Sequence, residues 1–272
     1  MSTPTALFGR DGATLLPTAL CRGPWDHGYL HGGAVCGALG WALEQACPDD
    51  ALAMARATVE IRSMVPLGPL RTHAVVVKPG RRTQVVEATL ANDSGVVARA
   101  TSQWVAHHPS EAPPSPLAVP ARPDRAADPG AVAGFDYPRP GFNCDAVELR
   151  PLQGTTETAG PGVTWVRLRT PVVDGEPTSA LVSMMTLSDV GIAVGWEPSP
   201  SGAAFINPDV TLQVIRYPLG EWVLMDSRVH AAASGVGFCE TVLTDDAGPF
   251  GRVLQTLVEA PASLAIGMPT GA

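Results

Sequence analysis

Charged residues are scarce in this sequence, and several kinds of segment are missing from it. Only 16% of the 272 residues are charged, which favours a compact interior over disorder. The net charge is −8 and the basic residues form no stripe, so a nucleic-acid partner is not expected. No apolar run reaches the length of a membrane span, and the N-terminus lacks the basic and apolar regions of a signal peptide. We therefore predict a cytoplasmic protein with no membrane partner.

Motifs for several enzyme classes are also missing. The five cysteines form no Cys-x-x-Cys pair, so neither a zinc ribbon nor a redox motif is present. There is no Gly-x-Ser-x-Gly elbow, no glycine-rich dinucleotide fingerprint and no P-loop. His27 and His31 stand four residues apart, but no third metal ligand is evident. We therefore expect neither a metal nor a cofactor.

An internal repeat is the most informative feature that is present. The pattern Glu-x-x-Leu-x-(Asn/Asp)-Asp-x-Gly-x-x-x-Arg begins at Glu87 and again at Glu240, a spacing of 153 residues. A Pro-Leu-Gly tripeptide with an arginine shortly before it stands upstream of each copy. This order predicts two fused copies of one unit. The predicted parts are a first unit at 1–108, a stiff proline-rich linker at 109–141 and a second unit at 142–272.

The first predicted helix covers Gly33–Ala46 and is apolar on nearly every face, so it should be buried all round. Gly33, Gly37 and Gly40 share one of those faces. A glycine inside a helix costs roughly 1 kcal/mol relative to alanine. Three glycines on one face therefore predict the close approach of another backbone.

The second unit repeats this order around a helix that we expect to begin at Pro177 and to end at Gly191. Antiparallel strands are expected to wrap both helices, which makes the fold class α+β. The predicted strands are Ala57–Val65, Leu70–Lys78, Thr83–Leu90, Val96–Val105, Thr164–Val172, Thr211–Arg216, Glu221–His230, Gly237–Thr244 and Arg252–Val258. We expect the two sheets to join edge to edge, because a lone unit would leave a strand edge exposed.

The stretch Gly-Pro-Trp-Asp-His-Gly-Tyr-Leu-His-Gly-Gly at 23–33, the Pro-Leu-Gly turns and the paired halves resemble the acyl-CoA thioesterase II family. These are the TesB-like, double-hotdog thioesterases, and the resemblance covers about residues 20 to 260. It implies two hotdog units that pair as a pseudo-dimer, with the acyl-thioester site at their junction. It also implies an acyl-CoA hydrolase of lipid metabolism. The sequence leaves a homo-oligomer, dimer or larger, open.

Asp189 is the first candidate catalytic residue. It stands near the end of the otherwise apolar second helix, where the helix macrodipole and desolvation would raise its pKa and make it a better base. From the residues alone, an exposed aspartate in a helix-ending turn is the alternative. The resemblance favours catalysis, because the family's catalytic aspartate lies in a matching Ser-Asp or Ala-Asp step.

Two amides complete the site that the resemblance implies. Gln255 interrupts the apolar face of the last strand and matches the family's catalytic glutamine, although an amide facing solvent on an edge strand is the alternative. Asn207 stands two residues before Asp209, where well-known members of the family carry threonine. Asparagine can orient a water with its donor and its acceptor, whereas a structural Asx turn ahead of Pro208 is the alternative.

The tripeptide His31-Gly32-Gly33 opens the first helix, whose free N–H groups could polarise a thioester carbonyl. Plain packing of a buried helix N-terminus explains the two glycines nearly as well. These three residues are the predicted substrate-binding residues. The acyl chain is expected beside Met184, Met185 and tryptophans, which would suit medium-length or aromatic acyl groups.

The predicted reaction is hydrolysis of an acyl-CoA thioester to the free acid and CoA. Asp189 would take a proton from a water held by Asn207 and Gln255, while the Gly32 and Gly33 N–H groups stabilise the oxyanion. A covalent aspartyl route stays open. The competing hypothesis is a non-hydrolytic hotdog protein that binds acyl-CoA or interacts with an acyl carrier, and the departure from threonine at Asn207 keeps that hypothesis open.

Overall fold

A computed structural model of the protein describes residues 4–47, 50–107, 118–124, 139–155, 158–201 and 203–260. The predicted proline-rich linker, 109–141, lies mostly outside the described residues. The boundaries of the two units therefore stay predictions.

Strands dominate the described residues, and two longer helices lie among them. In chain order the elements are β1 (Phe8–Asp11), β2 (Thr14–Pro17), α1 (Gly32–Ala46), β3 (Leu52–Ile61), β4 (Leu70–Lys78), β5 (Thr83–Asn92), β6 (Gly95–Ala106), β7 (Val147–Thr155), β8 (Thr158–Leu168), α2 (Ala180–Leu187), α3 (Gly191–Val194), β9 (Phe205–Ile206), β10 (Asp209–Val214), β11 (Trp222–Ala231), β12 (Val236–Asp245) and β13 (Gly248–Glu259). A π-helical turn spans Phe142–Ala146 and a 3₁₀ turn spans Ser188–Val190. None of the helices in the described residues combines the length and the apolar character that crossing a membrane requires.

All these strands belong to one antiparallel sheet. Its order is β1-β2-β4-β5-β6-β3-β10-β13-β12-β11-β8-β7, and β9 pairs with β13 beside this path. The order is symmetrical about the β3–β10 pair, so the two halves arrange their strands in the same way. The prediction of two similar units that join edge to edge is confirmed.

The duplication also sets the register of the strands. Glu87 on β5 and Glu240 on β12 hold equivalent positions relative to their neighbouring strands. Thr58 and Thr211, which are 153 residues apart, pair with each other across β3 and β10, and their hydroxyl oxygens are 3.2 Å apart. The pseudo-twofold axis of the sheet therefore passes between these two threonines. Each half packs a helix against its part of the antiparallel sheet, and the two halves are paired about this axis. These features confirm the predicted double-hotdog fold.

Helix α1 packs against β4, β5 and α2, and its middle is buried. Its glycine face meets α2: a methyl group on Gly37 would lie 2.5 Å from Thr186 Oγ1, and one on Gly40 would lie 2.8 Å from Met185 Cβ. A side chain at either position would force the helices apart. The close backbone approach that the glycines predicted is thus the contact between the two helices.

The start of the second helix differs from the prediction. The helix begins at Ala180 rather than at Pro177. The Ser179 hydroxyl accepts a hydrogen bond from the Val182 N–H at 3.1 Å and so caps the helix. The first turn forms after this serine because its side chain satisfies a backbone donor that would otherwise be free.

The end of the second helix also differs, because Gly191 does not stop it. The chain stays helical through the 3₁₀ turn into α3, which ends at Val194. A methyl group on Gly191 would meet Thr241 Oγ1 and would lie 3.1 Å from Gln255 Oε1. Gly191 therefore lets the helix approach β12 and β13 closely, which is a packing role.

The strand predictions fail mainly at the ends of the sheet. The strands β1, β2, β7 and β9 were not predicted; β1, β2 and β9 are too short to show a sustained alternation of apolar and polar residues. Three strands begin and end earlier than predicted: β3 covers Leu52–Ile61, β8 covers Thr158–Leu168 and β10 covers Asp209–Val214. Residues 62–65 leave the sheet and line a cavity, which is why β3 stops at Ile61.

Candidate active site

A cavity of about 310 Å³ lies between the two halves, beside the N-terminus of α1 and the turn that joins α2 to α3. Three polar side chains of the predicted site, His31, Asp189 and Asn207, face it together with the Gly32 backbone. The rest of its wall is mostly apolar or aromatic: Trp25, Tyr29, Leu30, Val35, Ile61, Met64, Val65, Ile192, Trp196, Phe205 and Ile206. Such a lining is typical of a pocket for an organic substrate.

The structure brings the three predicted catalytic residues into direct contact. Asp189 is only 6% exposed. Its Oδ1 atom accepts hydrogen bonds from Asn207 Nδ2 at 2.7 Å and from Gln255 Nε2 at 3.1 Å. Its Oδ2 atom lies 3.2 Å from His31 Nδ1. Four distant parts of the chain thus meet at one carboxylate, and the alternative of an exposed aspartate is wrong.

Burial raises the pKa of Asp189 from 3.8 to about 7, against the opposing hydrogen bonds from Asn207, the Gly33 N–H and Gln255. The sequence argument also used the negative end of a helix dipole, and α2 does end at Leu187, two residues before Asp189. Asp189 lies within the 3₁₀ turn, and the chain continues helically to Val194. Desolvation is therefore the physical cause of the raised pKa.

His31 is held firmly next to Asp189. Its Nδ1 atom accepts the Gly33 N–H at 2.9 Å, so His31 is the N-cap of α1. Its ring stacks on Phe142 with 4.3 Å between the ring centroids. Burial lowers the pKa of His31 to about 3. The imidazole is thus neutral at physiological pH, and the contact with Asp189 is not an ion pair.

The two glycines of the predicted oxyanion site differ in their backbone donors. The Gly33 N–H is already engaged with His31 Nδ1. The Gly32 N–H makes no hydrogen bond to any of the residues that the structure describes. A methyl group on Gly32 would lie 2.5 Å from Asp189 Oδ2, so a glycine is needed for the carboxylate to come this close. Only Gly32 offers a free donor.

Two expectations about the cavity wall are wrong. Gln255 is completely buried behind Asp189 and does not line the cavity, so its amide holds the carboxylate rather than a water. Met184 and Met185 are also buried and do not line the cavity, because the second helix turns this side into the protein core. Of the predicted acyl-lining residue types, Trp25 and Trp196 do line it.

Sequence reasoning missed Asn143. This residue lies in the π-helical turn, lines the cavity and is 5% exposed, and its Oδ1 atom has no hydrogen-bond partner among the described residues. A buried amide without a partner is costly unless a ligand supplies one. The turn is too short and irregular to produce a periodic pattern, so no signal in the sequence could have identified this residue.

The described part of the first half holds no equivalent of this carboxylate cluster. The spacing of 153 residues places Ser102 at the position of Gln255 and Met54 at that of Asn207. Ser102 is buried, and its hydroxyl donates to Val86 O and accepts from Trp104 Nε1. The two halves have therefore diverged at these positions. Among the described residues, no group of three histidine, cysteine, aspartate or glutamate side chains is placed to hold a metal ion.

Solved structures share this architecture over nearly the whole chain. One is a protein of Novosphingobium aromaticivorans with a proposed thioesterase assignment (TM-score 0.70, 22% identity, 96% of this chain and 100% of the other). Another is a hot dog protein of unknown function from Alicyclobacillus acidocaldarius (TM-score 0.69, 17% identity, 94% of this chain and 96% of the other). A third is the acyl-CoA thioesterase II TesB2 of Mycobacterium marinum (TM-score 0.61, 15% identity, 89% of this chain and 91% of the other). At these identities the likeness shows the fold.

Family profiles identify the chain itself. The acyl-CoA thioesterase N-terminal domain matches residues 21–105, and the acyl-CoA thioesterase C-terminal domain matches residues 113–258. No curated protein matches the chain by sequence. The two domain matches follow one another in the order of the family and together span most of the chain. The chain therefore belongs to the acyl-CoA thioesterase family and is a thioester hydrolase.

Proposed function

We propose that the protein hydrolyses acyl-CoA thioesters by base-assisted attack of water, with Asp189 as the base. One observation carries this proposal: a buried carboxylate with a pKa of about 7 lies in the wall of an apolar cavity. A base with such a pKa is partly ionised at neutral pH and still binds a proton well, which suits general-base catalysis. Its Oδ2 atom is the one that accepts no hydrogen bond from a side-chain amide.

The attacking water would lie between Asp189 Oδ2 and Asn207 Oδ1. Both hydrogens of the Asn207 amide nitrogen are already used, one toward Asp189 Oδ1 at 2.7 Å and one toward Asp209 O at 3.2 Å. The Asn207 oxygen therefore remains as an acceptor. Two acceptors would bind the two water hydrogens, which leaves a lone pair of the water oxygen free to attack the thioester carbon. In this way Asn207 can take the place of the family's threonine.

The Gly32 N–H would stabilise the developing oxyanion. It is the first N–H of a 15-residue helix, where free donors and the positive end of the helix dipole favour negative charge. Gln255 keeps Asp189 in place from behind by donating to Oδ1. Removing one oxyanion donor from other hydrolases typically costs 10²–10³-fold in rate.

The reaction is balanced without any further reagent. Asp189 Oδ2 takes a proton from the water while the water oxygen bonds to the thioester carbon. When the tetrahedral intermediate collapses, the carbon–sulfur bond breaks and the CoA thiolate leaves. The proton on Asp189 then passes to that sulfur, which regenerates the ionised base and yields free acid and CoA.

The cavity favours an apolar acyl group of medium length or with an aromatic ring. Trp25, Trp196 and Phe205 provide flat apolar surfaces, and the volume of about 310 Å³ limits how much chain can be enclosed. The alternative of a non-hydrolytic acyl-CoA-binding protein depended on Asn207. Because Asn207 donates directly to the carboxylate, no observation now favours that alternative.

The test is an assay of free thiol release from a panel of acyl-CoAs that differ in chain length and aromaticity. Asp189→Asn should lower kcat by about 10²–10⁴-fold while acyl-CoA binding is kept. Asp226→Asn is the matched control, because Asp226 is an exposed carboxylate on β11 and does not line the cavity. Near-normal turnover of Asp189→Asn would refute the proposal.

A further inference from the structure

The two oxygens of Asp189 have different surroundings. Oδ1 accepts two amide hydrogen bonds, from Asn207 at 2.7 Å and from Gln255 at 3.1 Å. Oδ2 instead faces a ring nitrogen, His31 Nδ1, at 3.2 Å. Oδ1 thus has both side-chain amide donors, whereas Oδ2 has none and can take up a proton, with the Gly33 N–H as the one backbone donor near the carboxyl.

The His31 nitrogen that faces Oδ2 is itself an acceptor. Nδ1 accepts the Gly33 N–H at 2.9 Å, so it carries no proton and the proton of the neutral ring is on Nε2. The ring cannot easily turn away, because it is stacked on Phe142 and is only 8% exposed. The cap at the start of α1 therefore determines the tautomer of His31.

Two acceptor atoms 3.2 Å apart repel each other unless a proton lies between them. With Asp189 ionised, the lone pair of Nδ1 faces a negative oxygen. With Asp189 protonated on Oδ2, the same contact becomes an O–H···N hydrogen bond, in which the one lone pair of Nδ1 is shared between the Gly33 N–H and the Oδ2–H. The geometry therefore favours the protonated carboxyl over the carboxylate.

We propose that His31 is a positioning residue for Asp189: its Nδ1 atom accepts a hydrogen bond from the Oδ2–H that forms when the carboxylate takes a proton from water. This inference rests on the proposed role of Asp189 as the base. The proton stays on Oδ2, because the buried imidazole is too weak a base to remove it. His31 thus holds the protonated acid in place until the proton passes to the leaving thiolate.

Few other groups can affect the titration of Asp189. Besides His31, the groups that face the carboxyl are the amides of Asn207 and Gln255, the Gly33 N–H, and the thiols of Cys36 on α1 and Cys239 on β12. Burial raises the pKa of both thiols, that of Cys239 to about 12, so both stay neutral in the range of interest. Asp26 and Arg62 are the charged residues at the exposed edge of the same cavity.

Two substitutions of His31 separate the acceptor from the bulk of the ring. His31→Asn keeps an acceptor near the position of Nδ1 and is a favoured N-cap. His31→Leu removes both the acceptor and the N-cap. We expect the acidic limb of the kcat/KM profile to stay near the wild-type pH in His31→Asn. In His31→Leu it should move about one pH unit lower, because the protonated carboxyl loses one hydrogen bond. A weaker base should also lower kcat, by up to about tenfold.

An acidic limb that stays in place in His31→Leu, or that moves equally in both variants, would overturn the proposal. Should the leucine variant fail to fold, nitrogen NMR of wild-type protein labelled in histidine gives the same answer. His31 Nδ1 is expected to be unprotonated throughout, with a signal that changes as Asp189 titrates, and this change should be absent from Asp189→Asn. A protonated Nδ1, or no change with pH, contradicts the inference. A failure of the proposed function looks different, because Asp189→Asn would then keep turnover.

Discussion

Replacing Asp189 with asparagine should make the protein more stable at pH 8, although it removes activity. The native state holds this carboxyl away from water, and burial raises its pKa from 3.8 to about 7. The native protein therefore binds the proton more tightly than the unfolded chain does. As the pH rises from 4 to 7, the unfolded chain ionises first, so the native state loses stability relative to it.

The size of this loss follows from the two pKa values. One pKa unit corresponds to about 1.4 kcal/mol, so the ionised carboxylate costs about 4 kcal/mol of unfolding free energy above pH 7. At pH 5 the cost is about 2 kcal/mol, since the native carboxyl is still protonated there. Asparagine resembles the protonated carboxyl: its oxygen can accept from Asn207 and Gln255, and its NH₂ can donate to His31 Nδ1. It should therefore avoid the cost of an ionised, buried carboxylate.

Urea unfolding of the wild type and of Asp189→Asn at pH 5, 6, 7 and 8 measures this difference. Because the native pKa of about 7 lies two units above pH 5, the variant's advantage should grow by about 3 kcal/mol between pH 5 and pH 8. Exposed carboxylates titrate equally in both proteins and cancel in the comparison. Asp226→Asn, which removes an exposed carboxylate, should show no such growth. An advantage that does not change with pH would refute the reasoning, because Asp189 would then not be a desolvated carboxylate.

The kcat/KM of the wild type should rise about tenfold per pH unit below pH 7 and level off above it, since the ionised Asp189 is the base; a flat profile from pH 5 to 8 contradicts this. Gln255→Ala should lower kcat less than Asp189→Asn and move the acidic limb to higher pH, because the ionised carboxylate loses a donor; a move to lower pH argues against it. Gly37→Ala should cost about 1–3 kcal/mol in urea unfolding, because its methyl group would lie 2.5 Å from Thr186 Oγ1; an unchanged midpoint would show that the helices can separate freely. Asn143→Leu should keep stability or raise it by about 1 kcal/mol while raising KM for acyl-CoA, as expected for an amide that only a substrate satisfies.

The repeat in the sequence predicted the duplication of the fold, because strand pairing is periodic, while the resemblance to the thioesterase family supplied the hotdog arrangement. Two copies with a constant spacing of 153 residues must pair in the same register, as Thr58 and Thr211 do on the pseudo-twofold axis. The glycines of α1 were equally informative, since a helix accepts three of them on one face only where another backbone comes close. Strand ends and helix ends were predicted less well, because caps and local packing determine them.

The sequence by itself thus determined the duplicated α+β fold, the candidate residues Asp189, Asn207 and Gln255, and the glycine-rich start of α1. Only the tertiary structure decided how these residues divide their roles. His31, Asp189, Asn207 and Gln255 are far apart along the chain, so no local pattern can show which atom donates to which. Gln255 lies on β13 with its side chain buried behind Asp189 and away from the cavity, and the N-cap directed the Gly33 N–H toward His31, which left Gly32 as the free donor. Burial, which raises the pKa of Asp189, is likewise a property of the assembled core and not of any short segment.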